Sequence, residues 1–259
     1  MTQPFLEIKN LTMSFGGLVA IERLDFVVNP GEIVGLIGPN GAGKTTVFNC
    51  ISRFYTPSRG SIYFQGRDIL RAASHEIIRL GIARTFQNVE LCRSMTVLQN
   101  LLIGQHTKMH GGVIRDGLRL PGARKSETEA TARADEVLKL LGLAPYRDRI
   151  ASALPFGMQK MVELGRALVA QPVLLLLDEP AAGADVRETQ GLAELIRRIR
   201  DQFNLSILVV EHDMPFVMGL CQRLYVLDFG RKIAEGNPAE IRNNPAVIEA
   251  YLGEPDLAL

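Results

Sequence analysis

An α/β fold, with a parallel sheet at its core and a helical lobe inserted into the chain, is what this 259-residue sequence predicts. Three observations carry the prediction. The apolar run Ile33-Val34-Gly35-Leu36-Ile37 leads straight into Gly38 to Thr46, GPNGAGKTT, a strand–loop–helix pattern built for phosphate. Val173–Leu177 is a further apolar run and Leu205–Val210 a largely apolar one, as expected of strands covered on both faces, and they run into Asp178-Glu179 and Glu211. Between these strands, from about Leu91 to Ala170, the periodicity turns helical.

The loop fits the spacing G-x-x-x-x-G-K-[ST] at Gly38, Gly43, Lys44 and Thr45. Small residues let the main chain curl so that successive N–H groups face phosphate oxygens. A helix starting near Gly43 adds its positive end to the same field. The expected cradle is Gly38, Pro39, Asn40, Gly41, Ala42, Gly43, Lys44, Thr45 and Thr46. Lys44 is expected to reach the β- and γ-phosphates, and the Thr45 hydroxyl to hold Mg²⁺. A nucleoside triphosphate site follows from this motif, and its resemblance to the loop of P-loop NTPases implies their RecA-like parallel core.

Composition excludes several other classes. Apolar residues make up 47% and charged residues 22% of the chain, with a net charge of +1, so no strong field points to nucleic acid or an anionic surface. The start, MTQPFLEIKN, has neither a basic nor an apolar leader segment, and no apolar run approaches the ~20 residues that span a bilayer. Cys50, Cys92 and Cys221 lack Cys-x-x-Cys spacing and read as reduced thiols, and the four histidines form no zinc pair.

In order, residues 5–35 read as an N-terminal antiparallel β subdomain. Phe5 to Lys9 and much of Ala20 to Val28 alternate, and Asn29-Pro30-Gly31 turns the chain toward the loop strand. On pattern alone Phe15, on a tight turn before Gly16-Gly17, reads as a core aromatic. Thr45 to Arg53 follows as a helix, Ser61 to Phe64 as a strand, and Ser74 as the cap of a short helix ending at Gly81. Ile82 to Phe86 is a strand that finishes at Gln87.

In the helical block, Thr96 and Gln99 form a capping box for Val97–His106, and Lys108 to Pro121 reads as an irregular connection. Ser126 and Glu129 predict the start of a second helix, with Ala130, Ala134, Val137, Leu138 and Leu141 on one face. A third helix is expected over Gln159 to Ala170. Beyond the Asp178 strand, Asp185 with Glu188 caps a long helix. Arg223–Asp228 and Lys232–Glu235 then form a hairpin, and Asn237-Pro238 and Asn244-Pro245 open two short helices.

Asp178 stands at the carboxyl end of its strand, where open α/β sheets bind their ligands. A carboxylate there suits Mg²⁺ opposite Thr45, and Glu179 is the natural group to orient an attacking water. Gln87 and His212 each end a strand and could reach the γ-phosphate or its water, although singly each reads as structural.

In this order the segments resemble the ATP-binding cassette of ABC transporters along nearly the whole chain. The resemblance makes GPNGAGKTT the phosphate loop, Phe15 an adenine-stacking aromatic instead of core, and Gln87 the glutamine of the loop joining the lobes. It makes VLLLLDE the strand of Mg²⁺ ligand and base, Ala182 to Asp185 the loop that meets the opposite subunit, and His212 the switch histidine. Where the family carries LSGGQ this chain has Leu154-Pro155-Phe156-Gly157-Met158, which keeps Gly157 for the partner's nucleotide but puts Pro155 in place of serine.

That altered signature, with FGGLVAI, RTFQN, PAAGAD, VVEHDM and NPAVIEAYLG, resembles the branch importing hydrophobic amino acids. The insert near residues 107–135 is similar to that of its longer ATPase subunit. The resemblance implies an ATP-binding domain over residues 5–253: a nucleotide-binding core from 1–90 and 171–259, and a lobe from 91–170. Catalysis would rest on Glu179, His212, Gln87 and Lys44, and Mg²⁺ on Thr45, Gln87 and Asp178. ATP and Mg²⁺ are the expected ligands.

Expected partners are a membrane permease, a second cassette and, indirectly, a periplasmic binding protein, with the chain peripheral on the cytoplasmic face of the plasma membrane. Two rivals stand beside this reading: a soluble ATPase of DNA repair or translation, and a regulatory half of a heterodimer. A P-loop GTPase is disfavoured because N-K-x-D is absent. The cargo stays open between branched-chain amino acids, amides, urea and aromatic acids.

Overall fold

The computed structural model describes residues 4–86, 89–105 and 121–252. It divides into two units, Met1–Ile77 with Val173–Leu259, and Ile78–Pro172.

The first unit opens with β1 (Leu6–Phe15), β2 (Leu18–Val28) and β3 (Ile33–Ile37), followed by α1 (Lys44–Ile51), β4 (Arg59–Phe64) and β5 (Arg67–Asp68). The chain then makes the second unit: β6 (Ile82–Arg84), α2 (Val97–Gly104), α3 (Pro121–Leu140) and α4 (Phe156–Val169). It returns through β7 (Leu174–Asp178), α5 (Val186–Phe203), β8 (Ser206–Val210) and α6 (Met214–Leu220). The last elements are β9 (Arg223–Asp228), β10 (Arg231–Gly236), α7 (Pro238–Arg242) and α8 (Pro245–Leu252).

Two sheets build the first unit. The antiparallel one runs β2-β1-β4-β5, and alternate residues Leu6 and Ile8 of β1 face the core while Glu7 does not. The other runs β10-β9-β3-β8-β7 within this unit, parallel from β9 to β7, with β10 closing antiparallel on β9. Every residue of β3, β7 and β8 is buried, which explains why these strands read as predominantly apolar runs without alternation. Its register sets the site. Leu36 pairs with Val210, and Val210 with Asp178, so the carboxyl ends of β3, β8 and β7 lie along one row.

In the second unit the helices close on a core that includes Leu101, Ala134, Val137, Val162 and Leu168. The α2–α4 crossing is tight. A methyl group on Gly104 would lie 2.1 Å from the Arg166 carbonyl oxygen. Buried Asn100 ties down the chain before α2, accepting from Cys92 N–H and donating to the carbonyls of Cys92, Met95 and Thr96.

Several expected boundaries move. The helix expected to start at Ser126 is already helical at Pro121, because Ala123, Arg124 and Lys125 are good helix formers and proline is at home in a first turn. The helix expected from Gln159 begins at Phe156, with Pro155 in the cap position, since proline fixes φ at a value a helix start accepts. Ser74 caps no α-helix. It begins a single 3₁₀ turn over Ser74–Glu76, with Glu76 Oε2 accepting from Ala73 N–H at 2.8 Å. The strand expected to reach Phe86 ends at Arg84, and the Phe86 N–H turns to the Glu163 carboxylate at 3.1 Å. Gln87 and the connection over residues 108–120 lie outside the described residues.

Candidate functional site

The loop after β3 is shaped by two glycines. Gly38 holds φ +149°, and a Cβ there would lie 2.0 Å from the Leu227 carbonyl oxygen. Gly43 holds φ +101° in the cap position of α1, and a Cβ there would meet Ile21 Cδ1 at 2.5 Å and Ala20 O at 2.7 Å. Only glycine takes such φ values without strain and lets backbone pass this close to backbone. A third strut comes from the β9–β10 turn, where Gly230 N–H donates to Ala42 O at 3.1 Å.

No side chain caps α1 and no acidic residue lies in its first turn, so its N-terminal field is left for an anion. Lys44, 7% exposed, folds its ammonium back onto the carbonyl oxygens of Gly38 at 2.5 Å and Pro39 at 2.9 Å. Thr45, next along, is exposed.

Along the same edge of the sheet, Asp178 ends β7 and is 4% exposed. Glu179 follows with φ +46°, a left-handed conformation that costs about 1–3 kcal/mol for a residue other than glycine. Its N–H extends the ladder to Val210 O at 2.9 Å. Past β8, His212 Nδ1 lies 3.9 Å from Glu179 Oε2 and 3.4 Å from Glu211 Oε2. The structure therefore brings Glu179 and His212 together, one row beyond the strand that carries the loop.

Glu211 is the residue that sequence reasoning passed over. It is wholly buried and accepts from Ala181 N–H at 2.8 Å, His212 N–H at 2.8 Å and Asp213 N–H at 3.3 Å. Burial pushes its carboxyl above the ordinary value, while those three N–H groups and His212 pull the other way. The one available signal was an acidic residue directly after the apolar run Ile207 to Val210.

Phe15 is not core. It is 42% exposed and stacks edge-on against Tyr55, with ring centroids 5.1 Å apart at 78°. In the second unit, Gly157 lies in the first turn of α4 with open space around its Cα, beside Phe156, which is 58% exposed.

Comparison with known proteins bears directly on this geometry. A family model of the ABC transporter matches residues 21–182, the phosphate loop through Asp178 and Glu179. The chain belongs to the ABC transporter ATP-binding family. A second model, the branched-chain amino acid ATP-binding cassette transporter, matches residues 231–256.

Among curated ABC relatives, the high-affinity branched-chain amino acid transport ATP-binding protein LivG of Escherichia coli (strain K12) is 47% identical over 254 residues. That match covers 98% of this chain and 100% of LivG. BraF of Pseudomonas aeruginosa, with the same descriptive name, is 42% identical over 98% of this chain and 100% of its own length. The ADP conformation of an ATP-binding cassette of an ABC transporter superposes with a TM-score of 0.85 at 33% identity, covering 98% of this chain and 100% of that one. A nucleotide-free cassette gives 0.82 at 33% identity, covering 97% and 100%.

As an ABC cassette the chain binds and hydrolyses ATP on a P-loop α/β fold. These matches do not favour the DNA-repair, translation or regulatory alternatives. No described helix is long and apolar enough to cross a membrane.

Proposed function

We propose that the protein is the cytoplasmic, membrane-peripheral ATPase subunit of an importer for branched-chain or related hydrophobic amino acids. The observation that carries this reading is the single row in which β3, β8 and β7 deliver the loop, His212 and the Asp178-Glu179 pair. The names of LivG and BraF support the cargo class, as does the match over residues 231–256.

Mg²⁺ fits the residues present. Thr45 offers an exposed hydroxyl and Asp178 a buried carboxylate. Among the described residues no group of three or more His, Cys, Asp or Glu could cage a metal alone. One hydroxyl and one carboxylate, completed by phosphate oxygens and water, is the donor set Mg²⁺ prefers. Gln87, named with them from the sequence, lies outside the described residues. Bound there, the ion would offset charge on the β- and γ-phosphate oxygens.

The chain's own residues do the rest. Backbone N–H groups of the Gly38–Thr46 loop, Pro39 having none, cradle the phosphates, and Phe15 stacks the adenine. Lys44 exchanges two carbonyl partners for phosphate oxygens, a charge-assisted contact roughly twice as strong as a neutral one. Glu179 orients water and receives its proton. The water oxygen bonds to the γ-phosphorus as the bond to the bridging oxygen breaks, leaving ADP and phosphate. The His212 imidazole helps hold the γ-phosphate. The first turn of α4, with Gly157, faces the ATP of a second cassette, where Pro155 offers no hydroxyl and backbone N–H groups and the helix field remain. Closure of the pair pulls on the permease, and a periplasmic binding protein delivers the cargo.

Glu179→Gln tests the chemistry. Phosphate release should fall about 10²–10⁴-fold with ATP binding retained. Near-normal release would remove Glu179 from this role. For the cargo, vesicles carrying the assembled transporter should take up leucine, isoleucine or valine when supplied with ATP. Uptake of urea or an amide in their place would overturn the assignment.

A further inference from the structure

We propose that Glu211 is a positioning residue for ATP hydrolysis, holding the Glu179 turn and the His212 imidazole in fixed relation. The inference rests on the roles given above to Glu179 and His212.

The argument starts from connectivity. β7 and β8 are paired up to Asp178 and Val210, and beyond that row the two chains separate into different turns. One turn runs Glu179 to Asp185, the other Glu211 to Asp213. Glu211 spans both, because Oε1 takes the Ala181 N–H of the first turn while Oε2 takes the His212 and Asp213 N–H groups of the second. The same Oε2 lies 3.4 Å from His212 Nδ1.

Helix capping does not account for Glu211. Asp185 caps α5 by accepting from Arg187 and Glu188 N–H, both at 2.8 Å. Asp213 caps α6 by accepting from Phe216 N–H at 2.8 Å. Both helix starts are served by their own carboxylates, and what remains for Glu211 is the link between the turns.

Its setting is also expensive. A wholly buried carboxylate loses its hydration, and burial is the largest influence on its acidity. Three N–H bonds offset that loss, yet an apolar side chain would avoid it altogether. Glu179 needs such a brace, since its φ of +46° persists only where neighbouring bonds over-determine it. On Glu179 itself, the N–H bonds to Val210 O, and Ala182 N–H bonds to its carbonyl at 3.3 Å. Glu211 adds another, two residues along, through the Ala181 N–H. On the His212 side, a carboxylate facing Nδ1 favours the tautomer with its proton on that nitrogen and fixes the ring plane.

Glu211→Gln keeps the shape but turns one oxygen into an NH₂ that faces N–H donors. In the purified full chain, kcat should fall about 10–10²-fold, the cost of a misplaced catalytic group. KM for ATP should stay within about threefold, because the phosphate loop is untouched. In a His212→Ala background the same substitution should cost much less, since the two groups act as a unit. Full additivity, or an unchanged kcat, would overturn the proposal. Should Glu211→Gln not fold, ¹⁵N NMR of the wild-type imidazole decides. A proton on Nδ1 of His212 supports the contact, and the opposite tautomer refutes it. That spectrum reads Glu211 without turnover, so a wild-type chain inert toward Mg-ATP would sink the functional reading and leave this test standing.

Discussion

Lys44 shows how much of the site was legible one residue at a time. The motif named it, and the structure places its ammonium against Gly38 O and Pro39 O, inside the loop it is expected to serve. Gly38 was equally legible as a type, but the reason for it was not. The obstacle to a side chain is the Leu227 carbonyl, 2.0 Å from a Cβ and almost two hundred positions away in sequence. Gly38→Ala should therefore destabilise the chain by about 1–3 kcal/mol, as over-packing does, and weaken ATP binding with it. Urea unfolding would register the first effect, and an unchanged midpoint would argue that the loop yields freely. Phe15 shows the opposite case: the pattern alone read an aromatic as core, the resemblance replaced that reading, and its half-exposed setting against Tyr55 agrees with the replacement. Glu211 stayed silent because its partners come from two turns that only the fold brings together.

Elements were readable where their signals are local. The box at Asp185 and Glu188 is present as read, with Asp185 N–H also donating to Glu188 Oε2 at 3.0 Å. Asp185→Ala should lower stability by about 1 kcal/mol, the usual worth of such a cap, measurable by thermal unfolding. A loss near zero would mean that α5 is held by its buried face alone. Thr96 and Gln99 behave the same way at α2. The misplaced start of α3 has a physical lesson. Ser126 and Glu129 have the spacing of a cap, but a cap residue must leave helical φ and ψ, and the favourable residues before it keep the helix going. At α4, an aromatic and a glycine after Pro155 looked like loop, and the helix begins there anyway.

At the scale of the molecule, the parallel core was plain from β3, β7 and β8, while the exact row they share came only with the register. That dense interior has a consequence at high pH. Burial pushes the Cys221 thiol up from 9.0 to about 12, the Cys50 thiol from 9.0 to about 11, and the Tyr225 hydroxyl from 10.0 to about 12. The folded chain keeps these protons after the unfolded chain has released them. Their contribution is thus complete below pH 9.0 and is lost as pH rises through the window up to about 12. Denaturant midpoints should decline across that range, and Cys221→Ala should make the decline shallower. An unaltered slope would exclude Cys221 as a source.

The most direct test of the whole account is calorimetric titration of Mg-ATP into the wild-type chain and into Lys44→Ala. The account predicts saturable binding by the wild type and a loss of about 10–10²-fold in affinity without the ammonium, the worth of one charge-assisted contact. Equal affinity of the two proteins would contradict it.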